Sequence, residues 1–266
     1  MTLAMQLPTT GRSSATRESA VRFRLPGTAG HYHRVAVDLS GVSTVLLPGT
    51  GSDDDYVNRA FAAPLRRAGA VLVAAVPEPG HLIAGYRAAM DRTARDGPIA
   101  VGGVSIGAAV AVEWALTHPD RTIAVLAALP PWTGAPGEAP GALAARYSAQ
   151  QLRSDGLAAA TRRLYATSPA WLADELARSW SAQWPQLPEN MEEAANYVAP
   201  TREQLARLAA PLAIAAASDD PIHPLAVATE WLDAAPRAAM QTVLLDDFGA
   251  DPARLGVACL AALAAT

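Results

Sequence analysis

From residue 43 to residue 129, strand-like and helix-like runs alternate with short connections, and this narrows the possible fold more than any other feature of the chain. "STVLLPG" is a short apolar run closed by a turn. "DYVNRAFAAPLRRAG" then places Tyr56, Ala60, Phe61 and Leu65 on one helical face and stops at Gly69. "AVLVAAV" reads as a buried strand, "LIAGYRAAMDRTARDG" as a helix, "PIAVGGV" as a strand, "IGAAVAVEWALTHP" as a helix and "RTIAVLAAL" as a strand. Such a rhythm predicts a mostly parallel sheet covered by helices on both faces, because parallel neighbours need crossover connections.

The rhythm stops at Pro130 and resumes near residue 210. Between these points no strand is evident. Helical stretches rich in alanine, leucine and arginine are interrupted by "TGAPGEAPGA" and "WPQLPEN". Afterwards come "PLAIAAA" as a strand, "PLAVATEWLDAA" as a helix, "MQTVLLD" as a strand and "DPARLGVACLAALAA" as a helix. Before the alternation, "VRFRL" and "HYHRVAVDL" read as paired strands with turns at Pro26-Gly27 and Ser40-Gly41. The expected organisation is therefore a flexible leader over 1–18, one α/β core over 19–130 and 210–266, and a helical insertion over 131–209.

Composition narrows the partners. Apolar residues make up 51 % of 266 residues and charged residues 17 %, enough for a sizeable core. With a net charge of −4 and no dense basic run, neither nucleic acid nor an anionic membrane surface is an expected partner. No apolar run reaches the ~18 residues of a membrane span, and the N-terminus lacks a secretory pattern, so a soluble cytoplasmic protein is expected. The single Cys259 lies in an apolar stretch and reads as a buried structural thiol. Neither a metal-ligand cluster nor a nucleotide fingerprint is evident, and no cofactor is expected.

Three short stretches carry chemistry. "VGGVSIGAAV" contains Gly103-Val104-Ser105-Ile106-Gly107, a G-x-S-x-G frame between an apolar strand and an apolar helix. A strand-to-helix elbow of this kind presents a nucleophilic serine, and small residues around it let neighbouring backbone approach. An incidental serine in a tight turn is the plainer alternative. "LLPGTGSDD" ends an earlier strand, where backbone N–H groups could face a developing oxyanion together with the amide of Ile106. A phosphate loop is the rival reading, but its lysine is lacking in a chain that contains none. "AASDDPIHP" follows a late strand, where Asp219 and Asp220 both qualify by position as an acid that orients a histidine; an N-cap is the alternative for Asp220.

In this order the three stretches resemble the α/β-hydrolase superfamily over residues 20 to 264. The resemblance implies an oxyanion loop, a nucleophile elbow, a helical cap, an acid loop and a terminal strand and helix. The family's G-x-x-D-x-x-x-P pattern falls on Ala217 to Pro224, which picks Asp220 as the triad acid. Its His-Gly oxyanion turn falls on Pro48-Gly49, which makes Thr50 the second amide donor beside Ile106. "THPDR" is structural in the family, which assigns His118 no catalytic role.

The departure lies at the base. The family's histidine follows the last strand, usually as Gly-His, but here "LLDDFGADPARLG" puts Ala250 after Gly249. Three explanations stand: a histidine replaced by Ala250, a natural alanine with His223 or a water assisting Ser105, or a fold kept for binding. Restoring histidine at 250 is expected to raise turnover. His31 and His33 lie in the early strands, and His81 follows a strand in a turn without an assigned role. His223 sits only three residues past Asp220, a separation that makes an Asp220–His223–Ser105 relay look awkward.

The function expected is a serine hydrolase-like enzyme acting on an ester, thioester or related acyl bond of a partly hydrophobic small molecule. Four of the six tryptophans, Trp132, Trp171, Trp180 and Trp184, fall in the insertion and suggest an apolar substrate pocket. The alternative is an impaired pseudo-hydrolase that binds a hydrophobic ligand, or a cyclase or lyase on the same fold.

Overall fold

A computed structural model describes residues 37 to 266. The leader, "VRFRL", most of "HYHRVAVDL", His31 and His33 lie outside the described residues. Six strands form one parallel sheet: β1 (Ser43–Leu47), β2 (Val71–Ala74), β3 (Ile99–Val104), β4 (Thr122–Ala128), β5 (Leu212–Ala217) and β6 (Ala238–Val243), in the order β2-β1-β3-β4-β5-β6.

Side chains alternate across this sheet and divide the core in two. Val45 and Leu47 of β1, Val101 of β3, Val125 of β4 and Ile214 of β5 pack against α2 (Leu82–Thr93), α3 (Ile106–Thr117) and α8 (Leu225–Ala234). Leu46, Ala100, Leu126 and Ala213 point to the other face, toward α1 (Asp54–Arg67) and α10 (Ala253–Leu263). Every residue of β3 and β5 is buried, as expected of strands covered on both sides. Nine of the twelve residues of α3 are buried, so this helix lies within the core and needs no polar face. The crossovers bring the carboxyl ends of the strands to one edge, and loops there converge on the central strands.

Between β4 and β5 the chain runs through α4 (Pro140–Thr167), α5 (Ala170–Gln183), α6 (Leu187–Ala195) and α7 (Arg202–Leu205). Gly156, at φ 76° and ψ 170°, breaks α4 into two helical pieces. The insertion has a small core of its own around Leu152, Trp180, Leu187 and Met191. Polar contacts tie it down. The Glu193 carboxylate accepts from the N–H groups of Leu82 and Ile83 at 2.7 and 3.3 Å, satisfying donors that the start of α2 leaves open. The buried Asn190 accepts from the Gly80 N–H at 2.8 Å.

After β6 the structure departs from the sequence reading, which carries the last strand on to Asp246. Leu245–Ala250 forms a short helix, α9. Asp246 and Asp247 in its first turn suit a helix N-terminus, and Phe248 is buried with the Trp171 ring set edge-on at 5.6 Å. Tertiary packing makes a helix of a segment too short to form one alone. Among the described residues no helix is long and apolar enough to cross a membrane.

Candidate active site

Ser105 occupies the sharp turn between β3 and α3 with φ 53° and ψ −118°. A non-glycine residue held at positive φ carries strain of about 1–3 kcal/mol and persists only where its surroundings enforce it. Here the Ser105 N–H donates to the Ala128 carbonyl at 2.9 Å, and its own carbonyl accepts from Ala108 at 2.9 Å. The flanking glycines are required sterically. A Cβ on Gly107 would stand 2.3 Å from the Leu47 carbonyl oxygen, and one on Gly103 would stand 2.5 Å from the same atom. The elbow therefore packs directly on the end of β1.

That contact also places the loop after β1 beside the serine. A Cβ on Gly49 would lie 3.5 Å from the Ser105 Cβ, and Thr50 follows immediately. The Ser52 N–H donates to the Gly49 carbonyl at 3.0 Å, closing a turn whose third residue, Gly51, has φ +72°. Ile106 is the first residue of α3, so its N–H has no acceptor within the helix. Both amides expected from the sequence thus belong to segments that abut Ser105.

The loop after β5 closes on the serine. His223 Nε2 lies 2.9 Å from Ser105 Oγ, and His223 Nδ1 lies 2.7 Å from Asp220 Oδ2. The three-residue separation that looked awkward in the sequence is bridged because the loop curls tightly after β5. Asp220 Oδ1 accepts from the Ile222 N–H at 2.8 Å, turning the backbone so that the imidazole folds back over its own acid. Burial pushes the Asp220 carboxyl up. Its bond to His223, the His223 charge and the backbone N–H groups of Ile222 and His223 outweigh this and hold it below the usual carboxylate range. Asp219, the other positional candidate, accepts from the Leu245 N–H at 2.8 Å and so anchors the start of α9.

Position 250 is different. Ala250 is the exposed last residue of α9, and a Cβ on the preceding Gly249 would meet the Trp171 ring at 2.4 Å. His81 is exposed just ahead of α2, while His118 stacks on Trp114 at 4.4 Å.

The four insertion tryptophans take four settings rather than forming one wall. Trp132 is buried in the core on the α3 side, its indole N–H donating to the Tyr197 carbonyl at 3.2 Å. Trp171 lies against α9, Trp180 is buried beside Gly51, and Trp184 ends α5 half-exposed.

Sequence reasoning missed a polar network where the insertion meets the loop after β1. Asp53 caps α1 through the Tyr56 N–H at 3.2 Å and receives the Arg178 guanidinium at 2.7 and 2.8 Å. Burial raises the Asp53 carboxyl, but Arg178 prevails and lowers it below the usual range. The polar run in "ARSWSAQ", inside an otherwise apolar helix, was the available signal. Carboxylate oxygens of Asp53, Asp55 and Glu175 lie within 4.8 Å of one another. Arg59 and Arg178 bind these carboxylates, so the cluster is an ion-pair network.

No curated protein matches the chain. Among solved structures, it is similar to a bromoperoxidase from Bacillus anthracis, with 15 % identity, 85 % of this chain and 93 % of that one covered, and a TM-score of 0.65. It is also similar to an enol-lactonase from Burkholderia xenovorans LB400, with 17 % identity, 78 % and 84 % coverage and a TM-score of 0.59. It is similar, too, to a structure from a study of carboxylesterases of the Thaumarchaeon Nitrososphaera gargenis, with 16 % identity, 78 % and 82 % coverage and a TM-score of 0.62. At these identities the likeness shows the fold. The model of the alpha/beta hydrolase family matches residues 9–249, spanning the serine elbow and the acid loop. The parallel sheet, the elbow at the end of β3 and this match lead to one conclusion: the chain belongs to the alpha/beta hydrolase family.

Proposed function

We propose that the chain is a serine hydrolase that cleaves or transfers an ester, thioester or related acyl bond of a small, partly hydrophobic molecule. The observation that carries this reading is the unbroken line from Ser105 Oγ through His223 to Asp220, with links of 2.9 and 2.7 Å. A serine hydroxyl becomes nucleophilic when an adjacent base takes its proton, and the base needs a third group to fix its tautomer. With the His223 Nδ1–H donated to Asp220, Nε2 is free to accept from Ser105.

In the reaction, Oγ attacks the acyl carbon while Nε2 takes the proton. The amides of Thr50 and Ile106 receive the negative oxygen of the tetrahedral intermediate. His223 then returns the proton to the leaving group, whose bond to the acyl carbon breaks. Water, activated by the same imidazole, releases the acyl group from Ser105. Asp220 stays ionised throughout, in keeping with its lowered pKa.

The binding-protein, cyclase and lyase alternatives rested on the lack of a base, and His223 beside Ser105 weighs against them. Carboxylic esters and lactones, named for two of the structural neighbours, are the bonds to test first. An alkyl fluorophosphonate is expected to label the purified protein, with labelling lost in Ser105→Ala. An unlabelled wild-type protein overturns the reading.

A further inference from the structure

The turn that carries the Thr50 amide is held from both sides. On one side the buried Tyr86 hydroxyl donates to the Pro48 carbonyl at 3.1 Å. On the other, α5 reaches three successive residues. Ser179 Oγ donates to the Gly51 carbonyl at 2.8 Å, Gln183 Nε2 donates to the Ser52 carbonyl at 3.0 Å, and Arg178 forks onto the Asp53 carboxylate. Gln183 also donates to Ser179 Oγ at 2.8 Å, which directs the serine's own proton toward Gly51.

Ser179 and Gln183 are one turn apart on the same face of α5, and Ser179 is fully buried. A buried hydroxyl is costly unless bonded, so an apolar residue would serve packing at least as well. What the hydroxyl adds is direction. With the Pro48 and Gly51 carbonyls both fixed, only Gly49 and Thr50 lie between the pinned points. Between α5 and the turn there is also little free space, since a Cβ on Gly51 would stand 2.7 Å from Trp180 Nε1.

We propose that Ser179, supported by Gln183 and Arg178, is a positioning residue that holds the Thr50 N–H on the oxyanion of the Ser105 reaction. This rests on the serine hydrolase reading above. The insertion then completes the oxyanion site as well as covering the core.

The test compares the second-order rate of fluorophosphonate labelling, and kcat and KM on a small aryl ester, in three variants and the wild type. Removing an oxyanion donor costs roughly 10²–10³ in kcat, so loosening one is expected to cost about 10-fold in Ser179→Ala with KM within about 2-fold. Ser179→Thr, which keeps the hydroxyl, restores most of the rate. Gln183→Ala gives a smaller loss of about 3-fold and keeps the test decisive if Ser179→Ala does not fold. Glu193→Gln weakens another anchor of the insertion, the one on α2, without touching the turn; its labelling rate stays at the wild-type value.

Wild-type labelling rates in both Ser179→Ala and Gln183→Ala overturn the positioning role and leave the serine reading standing. An equal slowing in Glu193→Gln overturns it as well, since any loosening of the insertion would then suffice. A wild-type protein that does not label overturns both.

Discussion

Two loops at the carboxyl edge of the sheet compete for the same task, and they resolve in opposite ways. The loop after β5 turns back on itself through the Asp220–Ile222 bond and brings His223 to Ser105. The segment after β6, where the family resemblance places a base, forms α9 and buries Phe248 against Trp171. Sequence order separates these loops by about one helix and one strand. A triad is defined by geometry and role rather than by position along the chain, and in the proposed relay one loop carries both Asp220 and His223 while the other packs Phe248 on Trp171.

The sharpest way to break this contrast is His223→Ala. Its expected cost is on the order of 10⁴–10⁶ in kcat, with the residue left by oxyanion stabilisation and binding. A loss under about 10-fold in steady-state ester hydrolysis would remove His223 as the base. Asp220→Asn keeps the shape but lets the imidazole settle in the wrong tautomer, and it is expected to lower kcat by about 10³–10⁴-fold.

The same variant sharpens the contrast in pH. Asp220 has a lowered pKa in the folded chain, so its ionised form stabilises the fold at any pH above the unfolded value of about 3.9. That contribution disappears as pH falls through the folded value. The difference in denaturant stability between wild type and Asp220→Asn should shrink as pH falls below about pH 4.

Asp219→Ala addresses the neighbouring carboxylate, which serves α9. It should cost about 0.5–1 kcal/mol in denaturant unfolding, with kcat within a few-fold of wild type. Ala250→His is expected to do least. At the exposed end of α9 the new imidazole has no established line to Ser105, so ester turnover should stay within about 3-fold. A gain of about 10²-fold there would restore the base to position 250 and reverse the contrast.

Much of the architecture was legible because the elements of a parallel sheet are strongly periodic. "PIAVGGV" and "PLAIAAA" are continuous apolar runs, and both are fully buried strands. Ser105 and its glycines were legible for a steric reason that the Leu47 carbonyl confirms. His223 was harder. Whether residues i and i+3 can pair in a loop depends on backbone curl, and one bond from Ile222 decides it. The helix α9 was hidden because its stability comes from Trp171, far away in sequence. The hold of α5 on the turn after β1 was hidden likewise, since its hydrogen bonds span more than a hundred positions.

The two links of the proposed relay differ greatly in reach. The one between His223 and Asp220 spans three positions, while the one between His223 and Ser105 spans 118. A displacement of the turn after β3 relative to the loop after β5 would therefore strain the serine contact and leave the acid–imidazole pair intact. During folding the order reverses: the pair can assemble as soon as its loop curls, long before the serine arrives. A fluctuating or partly folded chain would then keep its imidazole oriented and lose only the nucleophile.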